Sequence, residues 1–188
     1  MRLRGMLVVG ALALLLAPAT ARADWVITPF VGTNWSSNST TEHRVPFGAS
    51  FAWMGAGIAG FETQVSYTNQ FFGNSSVIGT NNVFSWMGNV IVGAPIGGAT
   101  QIRPYATGGV GLLRSRIGGA ATDLFDITTN DFGMNVGGGV MGFFNPRVGI
   151  RGDVRYYRSL NGTDQAPFAA SLGRFHFWQG TVGVAFKF

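Results

Sequence analysis

Cysteine is absent from the 188-residue sequence, so neither a disulfide framework nor a thiolate metal site can form. Charged residues are also scarce, at 11% of the chain, whereas there are 29 glycines and 16 phenylalanines. The exterior of a soluble domain normally carries far more lysine and glutamate than this. The composition therefore indicates a protein whose apolar surface meets something other than water.

The first 23 residues have the pattern of a secretory signal peptide. Arg2 and Arg4 precede an apolar run over 6–17, and Ala21-Arg22-Ala23 provides a cleavage signal. The apolar run is too short for a membrane-spanning helix, which needs about 20 residues. We therefore predict a signal peptide over 1–23 and an exported domain over 24–188. An uncleaved anchor helix is the alternative interpretation.

Positive charge is low once the predicted signal peptide is removed. The remaining chain has ten basic and eight acidic residues, a net charge of +2, and Lys187 is its single lysine. No basic run could follow a phosphate backbone, so we predict no nucleic-acid partner.

Segments of about ten residues with alternating apolar and polar character recur after the predicted signal peptide. No stretch with helical periodicity reaches the length of a helix. The pattern predicts eight strands, an even number, at about 24–35, 47–54, 57–69, 82–93, 101–114, 131–143, 146–158 and 174–188.

The connections between these strands alternate strictly between long and short. The first, third, fifth and seventh are long and polar, as in "SSNSTTEHRVP", whereas the others are short, as in the "NP" at 145–146. An up-and-down membrane barrel has long loops outside and tight turns in the periplasm. A soluble sandwich or barrel has no reason to sort its connections by length. The fold prediction is an all-β, eight-stranded antiparallel up-and-down transmembrane β-barrel.

The two faces of the predicted strands differ in polarity. In "RVGIRGDVRYY", Val148, Ile150 and Val154 share one parity, and the charged residues of 151–155 share the other. A soluble barrel points its apolar face inward, and a membrane barrel points it outward, so parity alone does not separate them. A glycine-rich polar face and aromatic residues near strand ends favour the membrane barrel.

The stretches "RPYATGGVGLLR", "GMNVGGGVMGFFNPRVGIRGDVRYYRSL" and "GTVGVAFKF" resemble the OmpA-like eight-stranded outer-membrane barrels of Gram-negative bacteria. The resemblance covers essentially the whole chain after the signal. It implies a location in the outer membrane, with outer-membrane lipid, lipopolysaccharide, periplasmic chaperones and the outer-membrane assembly machinery as partners. That machinery recognises a last strand ending in an aromatic residue. The corresponding assembly signal here is Val182, Val184, Phe186 and Phe188.

A group of charged residues on the polar face is predicted to line the lumen. Its members are Glu62, Arg103, Arg151, Asp153, Arg155 and Lys187. The lumen of an eight-stranded barrel is just wide enough for side chains, so charges buried there must pair. One interpretation is a static ion-pair plug that stabilises the barrel. The other is a gate whose pairs rearrange to pass small ions.

Catalytic chemistry has little support in the sequence. His43 lies in a predicted outer loop, and His176 lies near the outer end of the last predicted strand. An enzyme that modifies lipid A would need a nucleophile, a base and an orienting acid in contact. Candidate partners for His176 are Ser171, Asp123, Asp126 and Asp131, without a familiar acyl-hydrolase pattern around them.

We therefore predict a structural outer-membrane barrel that displays its loops, with at most a narrow ion path and no enzymatic activity. It is expected to need no cofactor and no metal ion. Two alternatives stay open. The loops near 36–46 and 115–130 could bind a surface ligand, or the barrel could be a lipid-A-modifying enzyme.

Overall fold

The computed structural model describes residues 23–35, 44–69, 78–97, 101–119, 126–160 and 176–188. The predicted signal peptide, apart from its last residue, lies outside these ranges and stays a prediction. Within the described ranges, no helix is long and apolar enough to cross a membrane.

The described chain forms eight antiparallel strands in a single closed sheet. Each strand pairs with its neighbours in sequence, and the last strand pairs with the first. The predicted eight-stranded up-and-down barrel is therefore confirmed. The strands are β1 (Asp24–Trp35), β2 (Pro46–Gly55), β3 (Ala59–Asn69), β4 (Ile78–Gly93), β5 (Gln101–Gly119), β6 (Asp126–Phe143), β7 (Val148–Ser159) and β8 (His176–Lys187).

The strand ends differ most from the prediction in β4, β5 and β6. β5 continues to Gly119 and β6 begins at Asp126, so the outer loop predicted over 115–130 was wrong at both ends. Residues such as Ser115 and Thr129 break the apolar–polar alternation, yet they are directly paired. Antiparallel pairing uses backbone N–H and C=O groups and does not require that alternation.

The register of the sheet sets the tilt of the strands. A path that starts at Trp35 in β1 and passes from each residue to its direct partner on the next strand returns to β1 at Trp25. The shear of the barrel is therefore ten residues. With strands about 4.8 Å apart and a rise of about 3.3 Å per residue, this shear corresponds to a tilt of about 40°. Directly paired residues are therefore not at the same height. The residue of the next strand that lies at the same height is about 1.25 residues along that strand from the directly paired one.

Aromatic side chains on the outer face form two rings around the barrel, one near each end. The ring at the long-loop end is called the outer ring. The tilt places the two rings about 25 Å apart along the barrel axis, which is the height of the apolar band of a membrane barrel. Between the rings, no outward-facing residue that the structure describes carries a charge. The ring at the short-turn end includes Trp25, Phe51, Trp53, Phe61 and Phe186, and the ring at the long-loop end includes Trp35, Phe84, Phe132, Tyr156 and Trp178.

Candidate functional site: the charged cluster in the lumen

Polar side chains of β3 and β7 meet inside the barrel at mid-height. Alternate residues of a strand point to the same face, so Arg151, Asp153 and Arg155 all enter the lumen from β7. Glu62 enters from β3 in the same way. The exposed fraction of each of these side chains is 3% or less. We call these four residues the central cluster.

The central cluster is a closed ring of four ion pairs. Arg151 approaches Glu62 Oε2 at 2.5 Å and Asp153 Oδ2 at 3.2 Å. Arg155 approaches Glu62 Oε1 at 2.8 Å and Asp153 Oδ2 at 2.9 Å. Each guanidinium therefore bridges both carboxylates, and the formal charges of the ring cancel. Arginine suits this position because its planar fork presents several donors in a fixed geometry.

Neutral side chains satisfy further hydrogen bonds of the ring. Tyr105 Oη donates to Asp153 Oδ2 at 2.7 Å and accepts from Arg151 Nε at 2.7 Å. Asn89 Nδ2 donates to Glu62 Oε1 at 3.1 Å, and Thr181 Oγ1 donates to Asp153 Oδ1 at 3.0 Å. These contacts come from strands on several sides of the lumen, so the cluster ties opposite walls together. Tyr105 was not among the predicted lumen residues, and only its inward parity on β5 could have indicated that it joins the cluster.

Glycines on β6 make room for the cluster. A Cβ atom at Gly139 would lie 2.7 Å from Tyr105 Oη, and one at Gly137 would lie 2.9 Å from Arg155 Cγ. The remaining space beside Arg151 and Arg155 is too narrow for a water molecule. This level of the lumen is therefore filled by side chains, as expected for an eight-stranded barrel.

Arg103 and Lys187 lie apart from the central cluster. Arg103 Nη2 donates to Asp24 Oδ2 at 2.8 Å and to Gln101 Oε1 at 2.9 Å, near the short-turn end. Lys187 Nζ lies 3.9 Å from the same Asp24 oxygen. The six residues predicted as one group are thus divided between two levels of the lumen. Asp24, which the sequence interpretation missed, could have been found from its inward parity on β1.

The turn between β2 and β3 lies directly beside Arg103. Ala56 and Gly57 have φ values of 52° and 69°, the left-handed backbone that tight hairpin turns use. A Cβ atom at Gly57 would lie 2.5 Å from Arg103 Nη2. Glycine at this position therefore serves both the turn and the close approach of the guanidinium.

Buried apolar side chains lie on both sides of the central cluster, among hydrogen-bonded polar ones such as Gln179 and Asn34. Toward the long-loop end, the rings of Tyr157 and Phe177 stack at a centroid distance of 4.9 Å. Tyr157, Phe177, Met87 and Leu113 form one buried group there. The group toward the short-turn end consists of Val26, Ala52, Met54, Ile91, Tyr105, Met141, Phe143 and Ala185.

The residues of the predicted assembly signal lie at the end of the chain, on the outer face. Val182, Val184 and Phe186 are exposed on β8, and Phe188 follows this strand with 75% of its surface exposed. The backbone N–H of Phe188 donates to the carbonyl of Trp25 at 2.9 Å, beside the first strand. Their role in assembly stays a prediction.

The described catalytic candidates do not face one another. His176 points outward from β8 beside Tyr156, with ring centroids 6.0 Å apart, whereas Asp131 lies at an inward position of β6. His43, Ser171 and Asp123 lie outside the described residues, and Asp126 is placed only as the first residue of β6. Among the described residues, no group of three or more His, Asp or Glu side chains could hold a metal ion.

The sequence matches no protein-family model and no curated protein. Several solved structures are similar in fold, each at low sequence identity. Neisserial surface protein A aligns with a TM-score of 0.67 and 15% identity, over 90% of this chain and all of that chain. The attachment invasion locus protein Ail of Yersinia pestis gives a TM-score of 0.58 and 12% identity over the same shares. The N-terminal β-barrel domain of Pseudomonas aeruginosa OprF aligns with a TM-score of 0.56 and 15% identity, over 90% of this chain and all of that chain. The chain therefore has the fold of the small eight-stranded outer-membrane β-barrels.

Proposed function

We propose that the protein is an integral outer-membrane barrel with a structural, loop-displaying role. Its short turns face the periplasm, and its long-loop end faces the cell surface. The observation that carries the proposal is the uncharged outward face between two aromatic rings about 25 Å apart. Such a band is suited to lipid and unsuited to water, because large apolar patches on soluble proteins promote association.

A charge placed within this band tests the membrane assignment directly. Val154 lies near mid-height on the outer face, with 44% of its surface exposed. Val154→Arg should destabilise a lipid-embedded barrel by about 2–4 kcal/mol. Asn69→Arg, at the height of the outer ring, is the matched control and should cost about 0–1 kcal/mol. In a soluble barrel, both changes would fall on the hydrated surface and have similarly small effects.

The measurement uses isolated outer membranes and the purified protein refolded in lipid vesicles. The wild-type barrel should migrate differently in SDS gels before and after boiling, and urea unfolding should give the free-energy differences. Recovery of the protein in the periplasmic soluble fraction, without a heat-dependent shift, would overturn the proposal.

The packed lumen supports a closed barrel with at most a narrow ion path. The central cluster is charge-neutral, and further buried side chains fill the lumen on both sides of it. An ion would have to displace several buried side chains and desolvate in passing them. In planar bilayers, we expect the wild-type protein to give no large conductance steps. Frequent openings that become longer in Glu62→Gln would support the gate instead of the static plug.

A second candidate function is the binding of a partner at the cell surface. β4, β5 and β6 continue beyond the outer ring as a three-stranded sheet that rises by about 15 Å, given the strand tilt. The paired ends of β5 and β6 therefore lie well above the level of the lipid. The test replaces residues 116–128 by a tight Asn-Gly turn and measures adherence of the bacteria to epithelial cells. Lost adherence with an intact heat-dependent gel shift would support binding, and unchanged adherence would reject it for this sheet.

A further inference from the structure

Among the described strand residues, charged side chains on the outer face lie only at the long-loop end, and they have one sign. Arg114 and Arg116 point outward from β5, and Arg158 points outward from β7. No carboxylate occurs among the outward-facing side chains that the structure describes. The acids with described side chains all lie at inward positions, as Glu62 and Asp153 do.

The register places two of these arginines at the upper edge of the apolar band. Arg158 pairs directly with Met134 and His176, and Arg114 pairs with Phe84. After correction for the tilt, Arg114 and Arg158 lie within about one residue of the height of Trp35. They are separated by β6, and therefore by roughly 10–12 Å around the barrel. Phe132 projects from β6 between them.

Neither arginine is neutralised within the described structure. Arg114 is exposed and Arg158 is half-buried, and neither forms an ion pair with a residue that the structure describes. Arginine side chains can lay their apolar stems over neighbouring apolar surface while the guanidinium reaches toward the polar phase. At this height, the guanidinium would meet whatever group lies directly above the acyl chains.

We propose that Arg114 and Arg158, on the β5–β7 side of the barrel, bind the phosphate groups of an anionic lipid in the outer leaflet. This inference rests on the proposed membrane location and adds the chemical class of the lipid. The guanidinium fork matches the oxygens of a phosphate, and a pair of guanidinium groups at the level of the headgroups suits a lipid with more than one phosphate. The apolar band directly below accommodates the acyl chains of the same molecule.

The test measures lipid binding by the full barrel, folded in a neutral maltoside detergent. The probes are bisphosphorylated lipid A and the same lipid after enzymatic removal of its phosphates, and native mass spectrometry gives the bound fraction. The variant is Arg114→Gln with Arg158→Gln. Its matched control is Arg147→Gln, an exposed arginine at the short-turn end, where the turn is held by backbone N–H groups bonded to Asn145.

Each arginine near an anionic lipid surface contributes about 1 kcal/mol, so the double variant should bind the phosphorylated lipid about 30-fold more weakly. The control should bind it like the wild type, and the wild type should bind the dephosphorylated lipid as weakly as the double variant does. Equal binding of both lipids by the wild type, or unchanged binding by the folded double variant, would overturn the inference. Failure of the wild type to show the heat-dependent gel shift would instead overturn the proposed membrane location.

Discussion

Removal of the Glu62 carboxylate should strongly destabilise the barrel. Glu62→Gln keeps the size of the side chain but leaves Arg151 and Arg155 with Asp153 as their shared counter-ion. The change removes the ion pairs at 2.5 and 2.8 Å and leaves a net charge of +1 in the central cluster. Breaking a buried ion pair by removing one partner costs about 3–5 kcal/mol, because the other charge stays buried and uncompensated. We expect a loss in this range.

The assay is urea unfolding of the barrel in lipid vesicles, followed by tryptophan fluorescence and by the gel shift. Asp131→Asn is the control, since Asp131 is half-buried near the rim and outside the central cluster; it should cost less than about 1 kcal/mol. A second variant combines Glu62→Gln with Arg151→Met. This pair restores neutrality and leaves Arg155 with Asp153, so it should recover a large part of the lost stability.

Two results would refute this reasoning about the central cluster. The first is a cost below about 1 kcal/mol for Glu62→Gln, which would mean that the charges are effectively solvated. The second is a double variant whose loss of unfolding free energy equals the sum of the losses of Glu62→Gln and Arg151→Met measured separately. The effects of independent sites add, whereas those of coupled sites do not.

Three further changes test other parts of the barrel. Gly139→Ala should lower stability by about 1–3 kcal/mol in the same urea assay, because the added methyl group would collide with the backbone carbonyl oxygen of Gly152 and crowd Asp153 Cβ and Tyr105 Oη. Phe188→Ala should slow insertion in cells, measured as the fraction of heat-shifted protein during a pulse-chase, with little change in the unfolding midpoint of protein already folded. Arg103→Met should cost less than Glu62→Gln in urea unfolding, because its partner Asp24 is 20% exposed; an equal cost would contradict this.

The period-two alternation and the alternating long and short connections together predicted the barrel, and with it the inward face of β7. Arg151, Asp153 and Arg155 are spaced two residues apart, so any extended strand brings them to one side. Pairing with Glu62 then followed from the narrowness of an eight-stranded lumen.

Height within the barrel could not be predicted from the same pattern. Arg103 has inward parity, but the register places it near Asp24 at the short-turn end, away from Asp153. The shear of a barrel depends on which residues pair across all eight strands, and alternation within one strand does not contain that information. The outer ends of β5 and β6 were missed because their residues do not alternate.

Closure of the sheet between β1 and β8 has a consequence for the order of folding. Ile27 pairs with Phe186, and Trp35 pairs with Trp178, so the seam joins residues from opposite ends of the domain. Contacts of such large sequence separation form slowly, because the loop-closure entropy must be overcome first. Until the seam forms, two unpaired edges and the apolar outer face are exposed together, and such a chain aggregates readily. We therefore expect that the chain must be held apart from other copies of itself until its last strand has been synthesised and the proposed insertion into lipid is complete.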